Sequence, residues 1–134
     1  MRMNGEPIKT VDPRGVRSDP APLLRRFPNL GHPVKTTWSS GTLGDVVVGP
    51  TSYWIDAVVE VTDEVANDLR ALAAEGVAMP SVISEIAVVA PEGPFVGSPQ
   101  LNSHLVANCH VGTWWVSAAV SVGSKMVVLT AVGE

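Results

Sequence analysis

The 134-residue sequence predicts an α+β fold: a mainly antiparallel sheet of about five to six strands with one amphipathic helix, about residues 63–75, on one face. Three observations predict it. Tyr53, Ile55, Ala57, Val59 and Val61 alternate with Trp54, Asp56, Val58 and Glu60, the period of a half-buried strand. Val65, Leu69 and Leu72 recur at helical spacing. Two apolar runs near the end of the sequence flank Gly123-Ser124. A chain of this length forms one domain.

Residues 1–35 read as a basic, proline-rich, extended arm, and residues 36–134 as a single acidic α+β domain. The arm holds seven of the nine basic residues, three acids and six of the eleven prolines. The remainder holds two bases and ten acids. Proline removes a backbone donor and disfavours helix at the preceding residue, so no regular helix or central strand is expected before about Val34. Leu23, Leu24, Phe27 and Leu30 are spaced to give one short turn with an apolar side. With Arg25 and Arg26 they are the expected contacts of the arm, on its own domain or on a neighbouring subunit.

Asp45–Gly49 reads as a short strand between Gly44 and Pro50. After the strand at Tyr53–Val61, Thr62 is a helix N-cap, with Asp63 and Glu64 in the first turn where the helix dipole favours negative charge. Gly76 stands where a C′ glycine would end the helix. Val82–Ala90 is rich in β-branched residues and closes at Pro91–Pro94, which predicts a strand. Gln100–Val111 alternates and predicts another. Thr113–Val122 and Lys125–Val132 form a hairpin in which Val122 opposes Lys125 and Ala118 opposes Leu129. Both faces of that hairpin are apolar. A helix about 20 Å long, at 1.5 Å per residue, cannot cover two faces of such a sheet. The second face is therefore expected to meet the arm, another protomer or a ligand.

Composition excludes several classes. Hydrophobic residues make up 46 % and charged residues 16 %, which excludes a disordered polyelectrolyte. One Cys excludes an internal disulfide, and no zinc-finger or CxxC motif can be written with it. The longest apolar run, Ile86–Ala90, is too short for a membrane span. The opening Met-Arg-Met-Asn-Gly-Glu-Pro has no apolar stretch of a secretory signal, so a cytoplasmic or other intracellular location is expected.

The candidate chemistry is sparse. His104 and His110 share a face of the expected strand but lie about 20 Å apart at 3.3 Å per residue, too far to chelate one ion. Cys109 and His110 point to opposite faces of that strand and cannot form a nucleophile–base pair. Asp56 and Glu60 share a strand face about 13 Å apart, wider than a glycosidase pair, unless a third carboxylate such as Glu85 adjoins them. Ala119–Gly123 resembles a nucleophile elbow but precedes a hairpin turn rather than a helix. Gly41-Thr-Leu-Gly44 lacks the lysine and the helix of a phosphate loop. No cofactor and no metal is implied. Four of the seven aromatic residues are Trp, a residue enriched at binding hot spots.

Two functions are expected from these features. The first is a non-catalytic structural or protein–protein interaction protein, a homo-oligomer or a partner of another protein, assembling through the arm and the apolar sheet face near Trp115 and Met126. The second is a cone-shaped domain with an apolar pocket that takes a small apolar ligand, as a binder or as an enzyme. There Trp54 and Trp115 would form walls, and Asp56, Glu60, His104 and His110 the mouth. The arm's dispersed bases and the acidic remainder speak against nucleic acid.

Overall fold

The computed structural model describes residues 9–44 and 52–134. It is an α+β structure built on one seven-stranded antiparallel sheet of order β1-β2-β3-β7-β6-β5-β4. The strands are β1 (Lys9–Val11), β2 (Lys35–Leu43), β3 (Tyr53–Glu60), β4 (Glu75–Val77), β5 (Phe95–Gly97), β6 (Trp114–Ser121) and β7 (Met126–Gly133). The helices are α1 (Ala21–Arg26), α2 (Asp63–Leu72), α3 (Ser84–Ala87) and α4 (Pro99–Val106), with a 3-10 turn at Pro28–Leu30. The expected short strand at 45–49 lies outside the described residues.

The centre of the sheet follows the sequence pattern. Ile55, Ala57 and Val59 of β3 enter the larger core, and Ala118 pairs with Leu129 across the β6–β7 hairpin, as the turn at Gly123-Ser124 requires. Thr62 caps α2, its Oγ1 accepting from Val65 N at 3.2 Å. The helix ends at Leu72, short of Gly76, which lies in β4. Ala74 N already donates to Gly97 O at 3.2 Å, so the chain passes straight from helix to edge strand and needs no glycine stop.

Two expected strands are helical. Within 100–111 the chain forms α4, because Ser98 Oγ accepts from Leu101 N at 3.0 Å and Pro99 occupies the first turn. Leu101 and Leu105 are both fully buried. Four residues apart, they satisfy a strand period and a helix period equally, and the Ser-Pro cap decides. Within 82–90 the chain forms α3 and turns. Only Ile86 is buried there, while Val88 is 78 % exposed. Its β-branched residues fit a half-buried surface without requiring a ladder.

The larger core lies between one face of the sheet and α1, the 3-10 turn, α2 and α4. Leu23, Phe27 and Leu30 belong to it with no exposure, and Leu24 packs against it. Residues 12–19 are bound along β2. Arg17 N and Trp38 N exchange hydrogen bonds with Trp38 O and Arg17 O, Trp38 Nε1 donates to Asp19 O at 2.7 Å, and Thr36 Oγ1 donates to Ser18 O at 2.6 Å.

The second face is covered in part by the chain itself. Val58, Phe95, Ala119 and Val128 pack there under Ile86, with Val77, Met79, Val82, Ile83 and Met126 around them. One helix therefore does not stand alone against the sheet. Part of the cover expected from the arm, another protomer or a ligand is supplied by residues 77–90 instead.

Candidate functional site

The residues expected to gather at one mouth are distributed over both sides of the sheet. Asp56 is on the second face and has no exposure. Its Oδ1 accepts from Thr130 Oγ1 at 2.6 Å and from Lys9 Nζ at 3.0 Å, and its Oδ2 accepts from Lys9 Nζ and Ile83 N, both at 2.8 Å. One carboxylate thus ties β1, β7 and the covering segment to β3. Trp54, fully buried, donates from Nε1 to Thr42 O at 3.1 Å and lies 5.1 Å beneath Lys9 Nζ. Glu60, at the far end of β3, borders a hollow of about 50 Å³ with Lys35 and Met126. That is room for little beyond a water.

His104 is on α4, on the opposite side of the sheet from Asp56, and its carbonyl accepts from Asn29 Nδ2 at 2.8 Å. His110 follows the helix and is exposed. The expected shared strand face of the two histidines does not exist, because that segment is helical. Cys109 is half-buried, its Sγ 3.5 Å from Val111 O. Trp115 is 59 % exposed and pairs with Val132, whereas Met126 pairs with Glu60. Trp115 and Met126 therefore mark opposite ends of the β6–β7 pair, about 20 Å apart at 3.3 Å per residue, and do not form one patch. Among the described residues no three His, Cys, Asp or Glu side chains cluster as a metal site.

Among the described residues a sizeable cavity lies on the first face, beside α1. It is an open cleft of about 580 Å³, within the usual range for small-ligand sites. Its floor is the first-face row of β2 and β3, including Trp38, Tyr53 and Ile55, together with Trp114 of β6. The loop 12–17 forms one rim and the C-terminal end of α1 the other, so Arg14, Arg17, Arg25 and Arg26 surround the opening. Two acids, Asp12 and Glu134, also line it.

The aromatic floor is fixed in place. Arg17 Cζ lies 4.3 Å from the Trp38 ring centroid, and Arg26 Cζ lies 5.4 Å from that of Trp114. Trp114 also meets Phe27 edge-on at 6.3 Å and donates from Nε1 to Val111 O at 2.7 Å. Across the strand pair stands Gly133, where a Cβ atom would come within 2.4 Å of the Trp114 ring. Tyr53, 45 % exposed, offers the open aromatic surface.

Charge in the cleft is uneven. The side-chain hydrogen bond from Arg14 holds Asp12 down at about 2 from an ordinary 3.8, and Arg17 lowers Asp19 in the same way. Arg26 is perturbed oppositely: burial, and after it the neighbouring Arg25, push its guanidinium below the ordinary value, with Cys109 acting the other way. Arg26 Nη1 donates to Pro22 O at 3.0 Å, but Nε is buried with no hydrogen-bond partner among the described residues. Arg26 is thus a half-buried cation with no counter-charge among the described residues, and the complement of such a group is an anion.

Sequence reasoning placed Arg25 and Arg26 at a contact and missed Trp38, Tyr53 and Trp114 as parts of the same site. The signal for it is the coincidence of a basic N-terminal segment with tryptophans on distant strands. Comparison with protein families, curated proteins and solved structures gives no match.

Proposed function

We propose that this chain is a non-catalytic binding protein that takes a small organic anion in the cleft between loop 12–17 and α1. The observation that carries the reading is Arg26, partly buried over the ring of Trp114 and without an anionic partner among the described residues, at the edge of an opening of about 580 Å³. The arginines supply charge and the floor supplies apolar surface, a combination suited to an amphipathic acid. Titration with naphthalene-1-sulfonate, followed by tryptophan fluorescence and calorimetry, tests it. Saturable binding that weakens with salt and is lost in the Arg25→Gln/Arg26→Gln double variant is expected. Equal binding of neutral 1-naphthalenemethanol, or unchanged binding by the double variant, overturns it.

A second reading keeps assembly through protein contact, and exposed Trp115 beside Val132 on the second face favours it. Light scattering of the chain and of Trp115→Ser tests that reading. A mass above the monomer that falls on substitution supports it, and a monomer in both defeats it.

A further inference from the structure

The four arginines of the cleft divide into two kinds. Arg14 grips Asp12 with Nε at 3.0 Å and Nη2 at 3.1 Å, and Arg17 grips Asp19 through Nε at 3.0 Å and through Nη2. Each is a guanidinium fork closed on two carboxylate oxygens. Arg25 and Arg26 have no carboxylate partner among the described residues. Arg26 Nη1 donates to the α1 carbonyl of Pro22 and Nε is buried, which leaves Nη2 of Arg26 and the exposed Arg25 without a partner among the described residues.

Arg25 and Arg26 both line the cleft, and together they set the charge of the ligand it would take. A carboxylate, with one negative charge and two oxygens, closes one fork. A phosphate monoester carries nearly two negative charges at pH 7 and three acceptor oxygens, enough for both. Beside them the cleft offers the half-exposed Tyr53 ring and the apolar side of Ile55. Building on the reading of the cleft as an organic-anion site, we infer that its ligand is an aromatic phosphate monoester. Its phosphate sits on Arg25 and Arg26, and its ring lies on the floor beside Tyr53. The same group is carried by small aryl phosphates and by phosphotyrosine.

Calorimetry of the full chain at pH 7.5 with 1-naphthyl phosphate, 1-naphthoate and inorganic phosphate tests the assignment. Naphthyl phosphate is expected to bind about tenfold or more tighter than naphthoate, through the second closed fork. It is also expected to exceed inorganic phosphate, which has nothing to place on the floor. The preference shrinks at pH 5, because the phosphate regains a proton with a pKa of about 6. Arg25→Gln, a change at an exposed position, brings the two naphthyl ligands to similar affinity, and Arg25→Lys gives an intermediate preference.

Equal affinity for naphthyl phosphate and naphthoate, or a preference that survives Arg25→Gln, overturns the phosphate assignment and leaves organic-anion binding standing. Inorganic phosphate binding as tightly as naphthyl phosphate overturns the aromatic half. Failure of both naphthyl anions to bind removes the cleft reading itself. A phosphotyrosine pentapeptide compared with phenyl phosphate identifies the source: a tighter peptide assigns the group to a polypeptide, and equal affinity to a small molecule. Either result supports the proposal, and binding of neither overturns it.

Discussion

The two faces of the sheet are closed by different physics. On the first, Leu23, Phe27, Leu30, Leu69, Leu101 and Leu105 press apolar side chains from four helical segments onto the strands. On the second, a short segment packs Ile86 on a smaller apolar cluster and is pinned by one buried carboxylate that accepts a hydrogen bond from Ile83 N and pairs with Lys9. Apolar closure is non-directional and tolerates many shapes. Polar closure is directional, and each member left without its partner bears a desolvation cost. The first face can accordingly leave one end open as a cleft without loosening the rest. The second adds a directional fastening to its smaller apolar cluster.

The contrast can be broken at either face. The largest effect is expected from Phe27→Ala, which empties a fully buried site between α1 and Trp114 and costs about 3–5 kcal/mol by urea denaturation. A loss under about 1 kcal/mol would place the segment outside the cooperative core. Next is Asp56→Ala, which strands Lys9 Nζ and Ile83 N and costs about 2–4 kcal/mol. Lys9 is partly exposed, so the value belongs below that of a fully buried pair. Hydrogen exchange sharpens the test: protection should fall in residues 77–90 and β1 first, while the β6–β7 hairpin keeps its own. Uniform loss would mean that the carboxylate is no local fastening.

The smallest effect concerns pH at the rim of the cleft. The Asp12 pKa is depressed in the folded chain, so the Asp12–Arg14 pair stabilises the rim above the ordinary carboxylate value of 3.8. That contribution is lost as pH falls through about 2. Carbon-detected titration of the Asp12 carboxyl should give a midpoint near 2, moving up towards 3.8 in Arg14→Gln. An unchanged midpoint in the variant would show that another group holds it.

What the sequence reveals of this arrangement depends on range. The strand at Tyr53–Glu60, the Thr62 cap and the β6–β7 register rest on neighbours a few residues away, and each was legible. The segment 100–111 was misread because Leu101 and Leu105 fit both periods, and the Ser98-Pro99 signal lay just outside the alternating run. The segment 82–90 was misread because Val and Ile report a surface to pack on, not the ladder. The number of strands was undercounted because β1, β4 and β5 are three residues each, too short for any period. The N-terminal prolines pointed to an extended arm without helix, but the segment holds β1, α1 and a 3-10 turn. Pro22 and Pro28 stand in the first turns of their helices, where a missing donor costs nothing. The packing of Phe27 on Trp114 is a contact between distant parts of the chain. The cleft is non-local in the same way. Arg26 and Trp114 meet only because β6 lies inside the sheet and α1 crosses its end, which no spacing in the sequence expresses.

Gly133 has a consequence that reaches past its own strand. The indole of Trp114 occupies the volume that a methyl group on residue 133 would fill, so the ring can lie flat against the sheet only where the opposing residue has hydrogen in place of a side chain. Arg26 rests on that ring. The height at which the guanidinium stands above the sheet is thus set, through an intervening indole, by the smallest residue in the chain.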